Sequence, residues 1–257
     1  MSYDYEEFTQ SFYKLTGIDL AQYKEAQMKR RLTSLYEKKG YKDFSDFFQA
    51  VAKDSALLDE LLDKMTINVS EFYRNAARWD IFREKILPSL LQTRSNLKVW
   101  SAASSTGEEP YTLAMILSEN LPFSKFRIQA TDIDLKALSR AKEGKYHERA
   151  IQELPITLRD KWLKKSGDFY SVKDELKKAV EYKRLNLLKD SFPSDQDLIV
   201  CRNVLIYFTE EAKFDLYDKF AKSLSKGGIL FVGSTEQIFH PDKFGLKVVS
   251  PFFYQKM

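Results

Sequence analysis

The sequence predicts a small all-α domain followed by a larger α/β domain, whose open, mostly parallel sheet ends on an antiparallel strand. Up to about Thr66, apolar residues recur at helical spacing and no alternating strand pattern interrupts them. From Leu97 onward, short β-branched or aromatic runs alternate with helical segments, which is typical of a parallel sheet covered by helices on both faces. A length of 257 residues accommodates two unequal domains of this kind.

The helical pattern of the first domain, residues 1–66, is clearest in three segments. Their apolar stripes are Met28, Leu32 and Leu35; Phe44, Phe47, Phe48 and Val51; and Leu57, Leu58, Leu61, Leu62 and Met65. Asp43 and Asp54 precede the second and third segments, where helix N-caps belong. Gly40 follows the basic end of the first segment, as a helix-terminating glycine does.

Residues 96–257 form the predicted α/β domain, joined to the first by a linker and helix at 67–95. The candidate parallel strands are LKVWSA at 97–102, FRIQAT at 126–131, AVEYKRL at 179–185, DLIVC at 197–201 and ILFVGS at 229–234. LKVV and FFYQ are separated only by Ser250 and Pro251, which predicts an antiparallel hairpin. Residues 145–178 break the alternation and contain a possible strand at Phe169, Tyr170 and Val172, so we expect a small inserted β subdomain there.

Composition limits the location and partners of the chain. Apolar residues at 44% and charged residues at 30% are ordinary for a soluble globular protein. No run of about 18 apolar residues could span a bilayer, and the acidic MSYDYEEF leads into no apolar stretch, so we expect a cytoplasmic chain. The net charge of +4, from 41 basic and 37 acidic residues, is too balanced to indicate nucleic acid.

Chemistry that depends on cysteine or histidine has little support in the composition. Cys201 is the single cysteine, and one thiol neither forms an internal disulfide nor anchors a cysteine-based metal cluster. His147 and His240 are the only histidines, both in polar surroundings. Histidine is the usual general base and metal ligand, and it is nearly absent here. We therefore expect no metal site and a reaction that needs neither a histidine base nor a metal ion.

A first candidate site follows the first predicted strand, in WSAASSTGEEPYT at 100–112. Small residues at 102–105 and Gly107 would let the backbone approach a nucleotide closely, although the three spaced glycines of a dinucleotide fingerprint are missing. Glu108 and Glu109 in the first helical turn would repel a pyrophosphate and favour a cationic ligand such as S-adenosylmethionine. The alternative, that both acids only cap the helix, stays open.

Two further candidates lie where predicted strands end. Asp132, in ATDID, is placed to accept hydrogen bonds from both ribose hydroxyls of a nucleotide, whereas Asp134 fits better as the N-cap of the following helix. Arg202 and Asn203, in CRNVLIYF, end a buried strand, and polar residues at the carboxyl ends of parallel strands lie over the ligand crevice. A surface salt bridge is the alternative role for Arg202.

The segment TINVSEFYRN lies at the junction of the two predicted domains. Asn68, Ser70 and Arg74 are spaced so that a turn or first helical turn aims them at the crevice. The alternative is an N-cap at Asn68 or Ser70 and a solvated arginine.

Together these motifs resemble the chemotaxis-receptor glutamate methyltransferases, the CheR family, over essentially the whole chain. TINVSEFYR, SAASSTGEEPYT, ATDID, NLL and CRNVLIYF occur in the family's order and approximate spacing, although no single one is specific. The resemblance implies a class I methyltransferase with a Rossmann-like sheet, which uses S-adenosyl-L-methionine and releases S-adenosyl-L-homocysteine.

The resemblance also assigns site residues. The cofactor-binding residues it implies are Asn68, Ser70, Arg74, Glu109, Asp132, Asn186, Leu187, Arg202 and Asn203. The catalytic residues it implies are Arg74, Arg202 and Tyr207. The acceptor in this family is a glutamate carboxylate with an ordinary pKa of about 4.3, so it is ionised at neutral pH and needs no general base. The two arginines suit orientation of that carboxylate through paired N–H donors.

Receptor docking is a further expectation. Lys24, Arg31 and Lys38 repeat every seven residues, nearly two helical turns, and form a basic stripe. Because receptor methylation helices are acidic coiled coils, the resemblance implies that this stripe docks the cytoplasmic helical domains of methyl-accepting chemotaxis receptors. A solvated helix face is the alternative. We expect no direct membrane insertion.

Some family members bind a pentapeptide tether at the receptor's C-terminus through the inserted subdomain. KKSGDFYSVKDEL is short and lacks the glycine-rich loop associated with that binding, so we expect recognition without the tether.

Two other functions share this fold: methylation of nucleic acid, and a non-catalytic adaptor. Enzymes acting on base amino groups tend to carry an Asn/Asp-Pro-Pro-aromatic run after the fourth strand, and those attacking pyrimidine carbon need a cysteine nucleophile. CRNVLIYF fits neither pattern, and the presence of all the cofactor motifs argues against an adaptor.

Overall fold

The computed structural model describes residues 3–66 and 68–257, apart from the side chain of Tyr3. The chain forms two units. One comprises the N-terminal residues up to Asn68 together with Ile206–Asp215, and the other comprises Val69–Leu205 together with Leu216–Met257.

The N-terminal residues of the first unit fold into helices, as predicted. These are α1 (Tyr3–Thr16), α2 (Glu25–Lys38), α3 (Phe44–Val51) and α4 (Ser55–Met65), with a short 3-10 turn at Leu20–Gln22. Asp43 and Asp54 are the N-caps of α3 and α4, and their carboxylates accept the backbone N–H groups of Asp46 and Ala56, both at 2.8 Å. Gly40, after α2, has a φ of +82°, the left-handed conformation that ends helices.

The segment Ile206–Asp215 joins this helical unit through main-chain pairing. The backbone N–H of Lys24 donates to the carbonyl of Tyr207 at 2.8 Å, and that of Thr209 donates to Gln22 at 2.9 Å. The rings of Tyr23 and Phe208 meet edge to face, 5.1 Å between centroids. The helical unit is therefore built from two distant parts of the sequence.

The second unit contains a seven-stranded sheet and a three-stranded sheet. Its strands are β1 (Leu97–Ala102), β2 (Phe126–Asp132), β3 (Lys145–His147), β4 (Leu163–Ser166), β5 (Phe169–Val172), β6 (Val180–Arg184), β7 (Gln196–Cys201), β8 (Leu224–Val232), β9 (Leu246–Ser250) and β10 (Phe253–Lys256). The large sheet has the order β6-β2-β1-β7-β8-β10-β9. From β6 to β8 all neighbours are parallel, as the alternating pattern predicted.

The antiparallel hairpin predicted at the end of the chain is present, and its last strand lies inside the sheet. β10 pairs antiparallel with both β8 and β9, so that β9 forms the edge. Phe253 of β10 lies opposite Phe231 of β8, with ring centroids 4.2 Å apart. Burial of these two rings fixes the register of the strand next to β8.

The inserted subdomain is also present. β3, β5 and β4 form an antiparallel sheet in that order. Tyr146 of β3, Leu163 of β4 and Val172 of β5 are buried, so this small sheet contributes apolar side chains to the core.

The remaining helices flank the large sheet or connect its strands. They are α5 (Ala76–Ile81), α6 (Leu87–Leu91), α7 (Glu108–Ser118), α8 (Leu135–Glu143), α9 (Ile156–Trp162), α10 (Asp174–Lys178) and α11 (Glu210–Ser223). Asp134 caps α8 as predicted and accepts the N–H groups of Lys136 and Ala137. Within residues 3–66 and 68–257, no helix is both long and apolar enough to cross a bilayer.

Candidate active site

The turn between β1 and α7 is built from strained backbone and small side chains. Ala103, Ser105 and Gly107 have φ values of +58°, +47° and +97°. A Cβ on Gly107 would lie 2.8 Å from the Cβ of Ala141 and 2.9 Å from the hydroxyl of Tyr146, so only glycine fits. Left-handed non-glycine residues cost about 1–3 kcal/mol each and concentrate at functional sites, which marks this turn as a candidate.

Glu109 presents its carboxylate beside this turn from the first turn of α7. Its side chain is 13% exposed. The hydroxyl of Ser101 donates to Oε1 at 2.8 Å, and Nη1 of Arg202 lies 3.6 Å from Oε2, an ion pair rather than a hydrogen bond. Burial raises the pKa of Glu109 to about 7, although Arg202 opposes the shift. A carboxylate in this state favours a cationic ligand, because the cation offsets the penalty of its buried charge.

Asp132, the last residue of β2, joins two strand-end loops. Its carboxylate accepts the N–H of Ser105 at 2.7 Å and that of Asp134 at 2.9 Å. Burial raises the pKa of Asp132 to about 6, and these backbone hydrogen bonds oppose the rise. The acid predicted to hold a ribose therefore also fixes the β1–α7 turn.

Arg202 follows β7 and is almost fully enclosed, with 2% of its side chain exposed. Its guanidinium carbon lies 5.1 Å from the ring centroid of Trp79 and 4.9 Å from that of Phe231. Nη2 donates to the carbonyl of Arg74 at 2.7 Å and to the side chain of Asn75 at 3.2 Å. These contacts fix the position of the guanidinium, while its buried Nε has no hydrogen-bond partner among the described residues.

The predicted linker segment lies against α7 in the second unit. The hydroxyl of Ser70 hydrogen-bonds to Glu108, and the N–H of Tyr73 donates to Oγ1 of Thr112 at 3.1 Å. Neither Asn68 nor Ser70 is a helix N-cap, because α5 begins only at Ala76 and is preceded by Asn75. The alternative considered from the sequence is therefore wrong.

The guanidinium of Arg74 makes fewer contacts within the protein than that of Arg202. It is half-buried, and its Nη1 donates to the carbonyl of Val69 at 2.9 Å. A guanidinium has five N–H donors, so this single contact leaves most of them available to a ligand.

Asn186 and Leu187 form a buried turn just after β6. The side-chain oxygen of Asn186 accepts the N–H of Leu188 at 3.0 Å. The backbone N–H of Leu185 donates to the carbonyl of Asp132 at 3.0 Å, which holds this turn beside the end of β2. Glu109, Asp132, Asn186 and Arg202 are thus all carried at or beside the carboxyl ends of neighbouring parallel strands.

Tyr207 belongs to the helical unit, as do the three cations of the basic stripe. The guanidinium of Arg31 lies over the Tyr207 ring, 4.7 Å from its centroid, and its Nη1 donates to the carbonyl of Met65 at 3.1 Å. Lys38 is exposed and Lys24 is half-buried. Of the three predicted docking residues, Arg31 packs its charged group against Tyr207 and Met65, and Lys24 interacts electrostatically with Glu210 of the same unit.

Glu236 is a buried acid at a strand end that the sequence did not predict as a site residue. It is buried just after β8, and its carboxylate accepts four backbone N–H groups, from Asn203, Val204, Leu205 and Gly233. The signal available was a lone acid three residues after the glycine that ends an apolar strand, and this pattern is too common to be specific.

The residues at these strand ends fit S-adenosylmethionine. Small side chains line the β1–α7 turn, and Glu109 and Asp132 carry carboxylates whose charge is disfavoured by burial. The Oγ of Ser104 is buried in the same turn and has no hydrogen-bond partner among the described residues, which is consistent with a polar ligand group beside it.

The sheet is parallel up to β8, and an antiparallel strand is inserted before its edge. Acidic residues follow its first two strands. This combination defines the class I S-adenosylmethionine-dependent methyltransferases. The chain belongs to the CheR methyltransferase family: the family's SAM binding domain matches residues 68–251, and its all-alpha domain matches residues 3–66. The predicted family, fold, enzyme class and cofactor are confirmed.

Similar curated proteins span the same length as this chain. The chemotaxis protein methyltransferase of Listeria monocytogenes is 46% identical over 254 residues, which cover 98% of this chain and 97% of that protein. That of Borreliella burgdorferi is 38% identical over 258 residues, covering 95% and 90%. Chemotaxis protein methyltransferase 1 of Pseudomonas aeruginosa is 34% identical over 262 residues, covering 96% and 95%.

Proposed function

We propose that this enzyme transfers the methyl group of S-adenosyl-L-methionine to glutamate side chains of methyl-accepting chemotaxis receptors, forming glutamyl methyl esters. The observation that carries the proposal is Glu109, a buried carboxylate with a pKa raised to about 7 at the strand ends, which suits a cationic methyl donor. The relatives named chemotaxis protein methyltransferases support receptors as substrates.

The acceptor chemistry matches what the chain offers. A glutamate carboxylate is ionised at neutral pH, so it attacks without a general base. The chain has only two histidines, and both are exposed: His147 ends β3, and His240 precedes the 3-10 turn at Pro241–Phe244. The cofactor, when bound, supplies a methyl group on a sulfonium centre that is already activated. The protein therefore needs to align the reacting groups and exclude water.

Among the proposed site residues, Glu109 and Asp132 hold the cofactor through its charged and hydroxyl groups, and Asn186 with Leu187 flanks the adenine. Asn68, Ser70 and Asn203 contribute further cofactor contacts, and Tyr207 positions the reacting groups. We assign orientation of the acceptor carboxylate chiefly to Arg74, because its guanidinium keeps free donors. Arg202 acts through Glu109, whose charge it stabilises.

Incubation with S-adenosylmethionine labelled in its methyl group and receptor-containing membranes tests this function. Glutamyl esters are hydrolysed by alkali, so we expect label on protein that alkali releases as methanol. Label on RNA that resists alkali would favour a nucleic-acid methyltransferase, and no transfer from a protein that binds the cofactor would favour an adaptor.

We further propose that residues 1–66 dock the receptor and that Lys24 and Lys38 supply the attraction. Reversing both charges, in a K24E/K38E variant, should raise the KM for receptor by about three- to tenfold and most strongly at low salt, because rim charges act by screened long-range attraction. The kcat and the affinity for S-adenosylhomocysteine should stay unchanged. Lys53→Glu, an exposed charge reversal in the same unit, is the matched control.

Arg31 should respond differently from these two lysines. Because its guanidinium packs on Tyr207 and binds Met65, Arg31→Met should lower kcat more than it raises KM. A rise in KM alone, with the same salt dependence as in K24E/K38E, would show that Arg31 takes part in receptor docking.

Recognition without the pentapeptide tether remains part of the proposal. β4 and β5 are joined by only two residues, Gly167 and Asp168, which leaves no long loop between these strands. Calorimetric titration with a receptor C-terminal pentapeptide should show no binding at micromolar concentrations. A micromolar dissociation constant would contradict this expectation.

A further inference from the structure

Glu236 connects two loops at the carboxyl ends of β7 and β8. Its Oε2 accepts the N–H groups of Asn203 at 2.7 Å and Gly233 at 2.8 Å. Its Oε1 accepts those of Val204 at 2.9 Å and Leu205 at 2.7 Å. Glu236 is 31 to 33 residues away in the sequence from the three residues that it binds in the loop after β7.

The loop after β7 needs such an acceptor. Asn203 has a φ of +61°, and a 3-10 turn begins at Leu205, so the N–H groups of residues 203–205 lie where neither strand nor helix supplies a carbonyl. A buried N–H without a partner costs about 1–3 kcal/mol. One carboxylate satisfies three of them, and charge-assisted hydrogen bonds of this kind are about twice as strong as neutral ones.

Gly233 is part of the same arrangement. A Cβ at this position would overlap the Glu236 carboxylate and would lie 3.0 Å from the backbone nitrogen of Asn203. Only glycine lets the two loops approach closely enough for the carboxylate to bind both.

The anchored loop carries two residues of the proposed site. Asn203 donates the first of the N–H groups that Glu236 binds. Arg202, the partner of Glu109, is the residue immediately before it. Burial lowers the pKa of Arg202, and the carboxylates of Glu109 and Glu236 both oppose this shift.

We propose that Glu236 is a positioning residue for methyl transfer: by binding the backbone of residues 203–205, it holds Arg202 and Asn203 in the arrangement that cofactor binding requires. This inference rests on the proposed function, because it assigns the loop to the cofactor site.

Glu236→Gln tests the inference with little change in shape. The amide keeps one acceptor oxygen but turns an NH₂ donor toward two backbone N–H groups, which repel it. We expect the affinity for S-adenosylhomocysteine and the methylation rate to fall by about 10- to 100-fold, the effect of misplacing site groups by about an ångström. Amide hydrogen exchange of residues 203–205 in the cofactor-free protein should accelerate by about tenfold or more.

Asp197→Asn is the matched control. Asp197 is a buried carboxylate near the start of β7, the end opposite to the loop that Glu236 binds. There it accepts the N–H of Lys98 at 2.9 Å and pairs with Arg94. This variant should lose stability and keep its cofactor affinity, measured by calorimetry well below the melting temperature of each protein.

The outcomes separate this inference from the function on which it rests. If wild-type enzyme binds S-adenosylhomocysteine and Glu236→Gln binds and turns over equally well, the role of Glu236 is refuted. If wild-type enzyme does not bind it at all, the proposed function itself fails. Should Glu236→Gln not fold, Glu236→Asp keeps the charge but shortens its reach, and wild-type affinity and rate in that variant would equally overturn the inference.

Discussion

Glu109→Gln is expected to weaken binding of S-adenosylmethionine and S-adenosylhomocysteine by about 100-fold, since a hydrogen bond to a charged group contributes about 1.5–3 kcal/mol. The carboxylate lies beside the β1–α7 turn, where Ser101 and Arg202 hold it. Glutamine keeps the shape and the acceptor oxygen but cannot compensate a positive charge. The methylation rate at subsaturating cofactor should fall in the same proportion.

The pH dependence of binding tests whether Glu109 is the group responsible. With a pKa of about 7, Glu109 is mostly ionised at pH 8 and mostly protonated at pH 6. Affinity of the wild-type enzyme should therefore fall about tenfold over this range. Protonation of Asp132, whose pKa is about 6, adds a smaller decrease near the lower end. Calorimetry on Glu109→Gln should give a nearly flat profile above pH 7.

Glu108→Gln is the control for this prediction. Glu108 is the neighbouring buried acid, but its carboxylate accepts the hydroxyl of Thr106 at 2.7 Å and is also bonded by Ser70. A glutamine oxygen can accept the same hydroxyls, so affinity should change by less than about fivefold. Equal losses in both variants would show that general disturbance of the turn, rather than the charge of Glu109, determines binding.

The elements that the sequence predicted well are those specified by neighbouring residues. The run LKVWSA coincides with β1 because its apolar residues Leu97, Val99 and Trp100 lie between the polar Ser95 and Asn96 and the serines of the following turn. Asp43, Asp54 and Asp134 were recognisable as N-caps because a cap depends on residues two or three positions away. Candidate site residues could be placed at strand ends for the same reason, since the end of a strand is a local feature.

What the sequence did not indicate depends on contacts between distant segments. The position of Arg202 after β7 was expected, but its enclosure by Trp79 and Phe231 and its bond to the carbonyl of Arg74, 128 residues away, were not. Pairing of Tyr207 with Lys24 likewise leaves no trace in periodicity. Strand position therefore predicted a candidate site, whereas the direction of each side chain depends on tertiary packing.

Arg202→Met is the second variant expected to have a large effect. Methionine fills the space between Trp79 and Phe231 but leaves Glu109 without its cationic partner. Removing one member of a buried ion pair costs about 3–5 kcal/mol while the other stays charged. Because Glu109, with a pKa of about 7, can take up a proton at pH 8 at a cost of about 1.4 kcal/mol, protonation limits this penalty, and we expect a loss of about 1.4 kcal/mol from the broken pair in the free energy of unfolding at pH 8, measured by denaturant titration.

The loss should depend on pH in a defined direction. Without Arg202, the pKa of Glu109 rises further above about 7, because Arg202 is the main influence that opposes its burial. A group whose pKa is raised by folding contributes stability that is present below its unfolded value, about 4.3, and is lost as pH rises through its folded value. The difference in stability between Arg202→Met and the wild type should therefore be smallest toward pH 5, where only the hydrogen bonds to Arg74 and Asn75 are lost, and should grow above pH 7.

Cofactor binding should report the same shift independently of stability. If Glu109 binds the cofactor as its carboxylate, as proposed, the pH at which affinity is half lost should move upward by about one unit or more in Arg202→Met. Arg94→Met is the matched control, because Arg94 pairs with Asp197 at 2.9 Å near the opposite end of β7 and should lower stability without moving that midpoint. If Arg202→Met reduced affinity equally at every pH, the arginine would contact the cofactor or acceptor directly, and its assignment as the partner of Glu109 would be wrong.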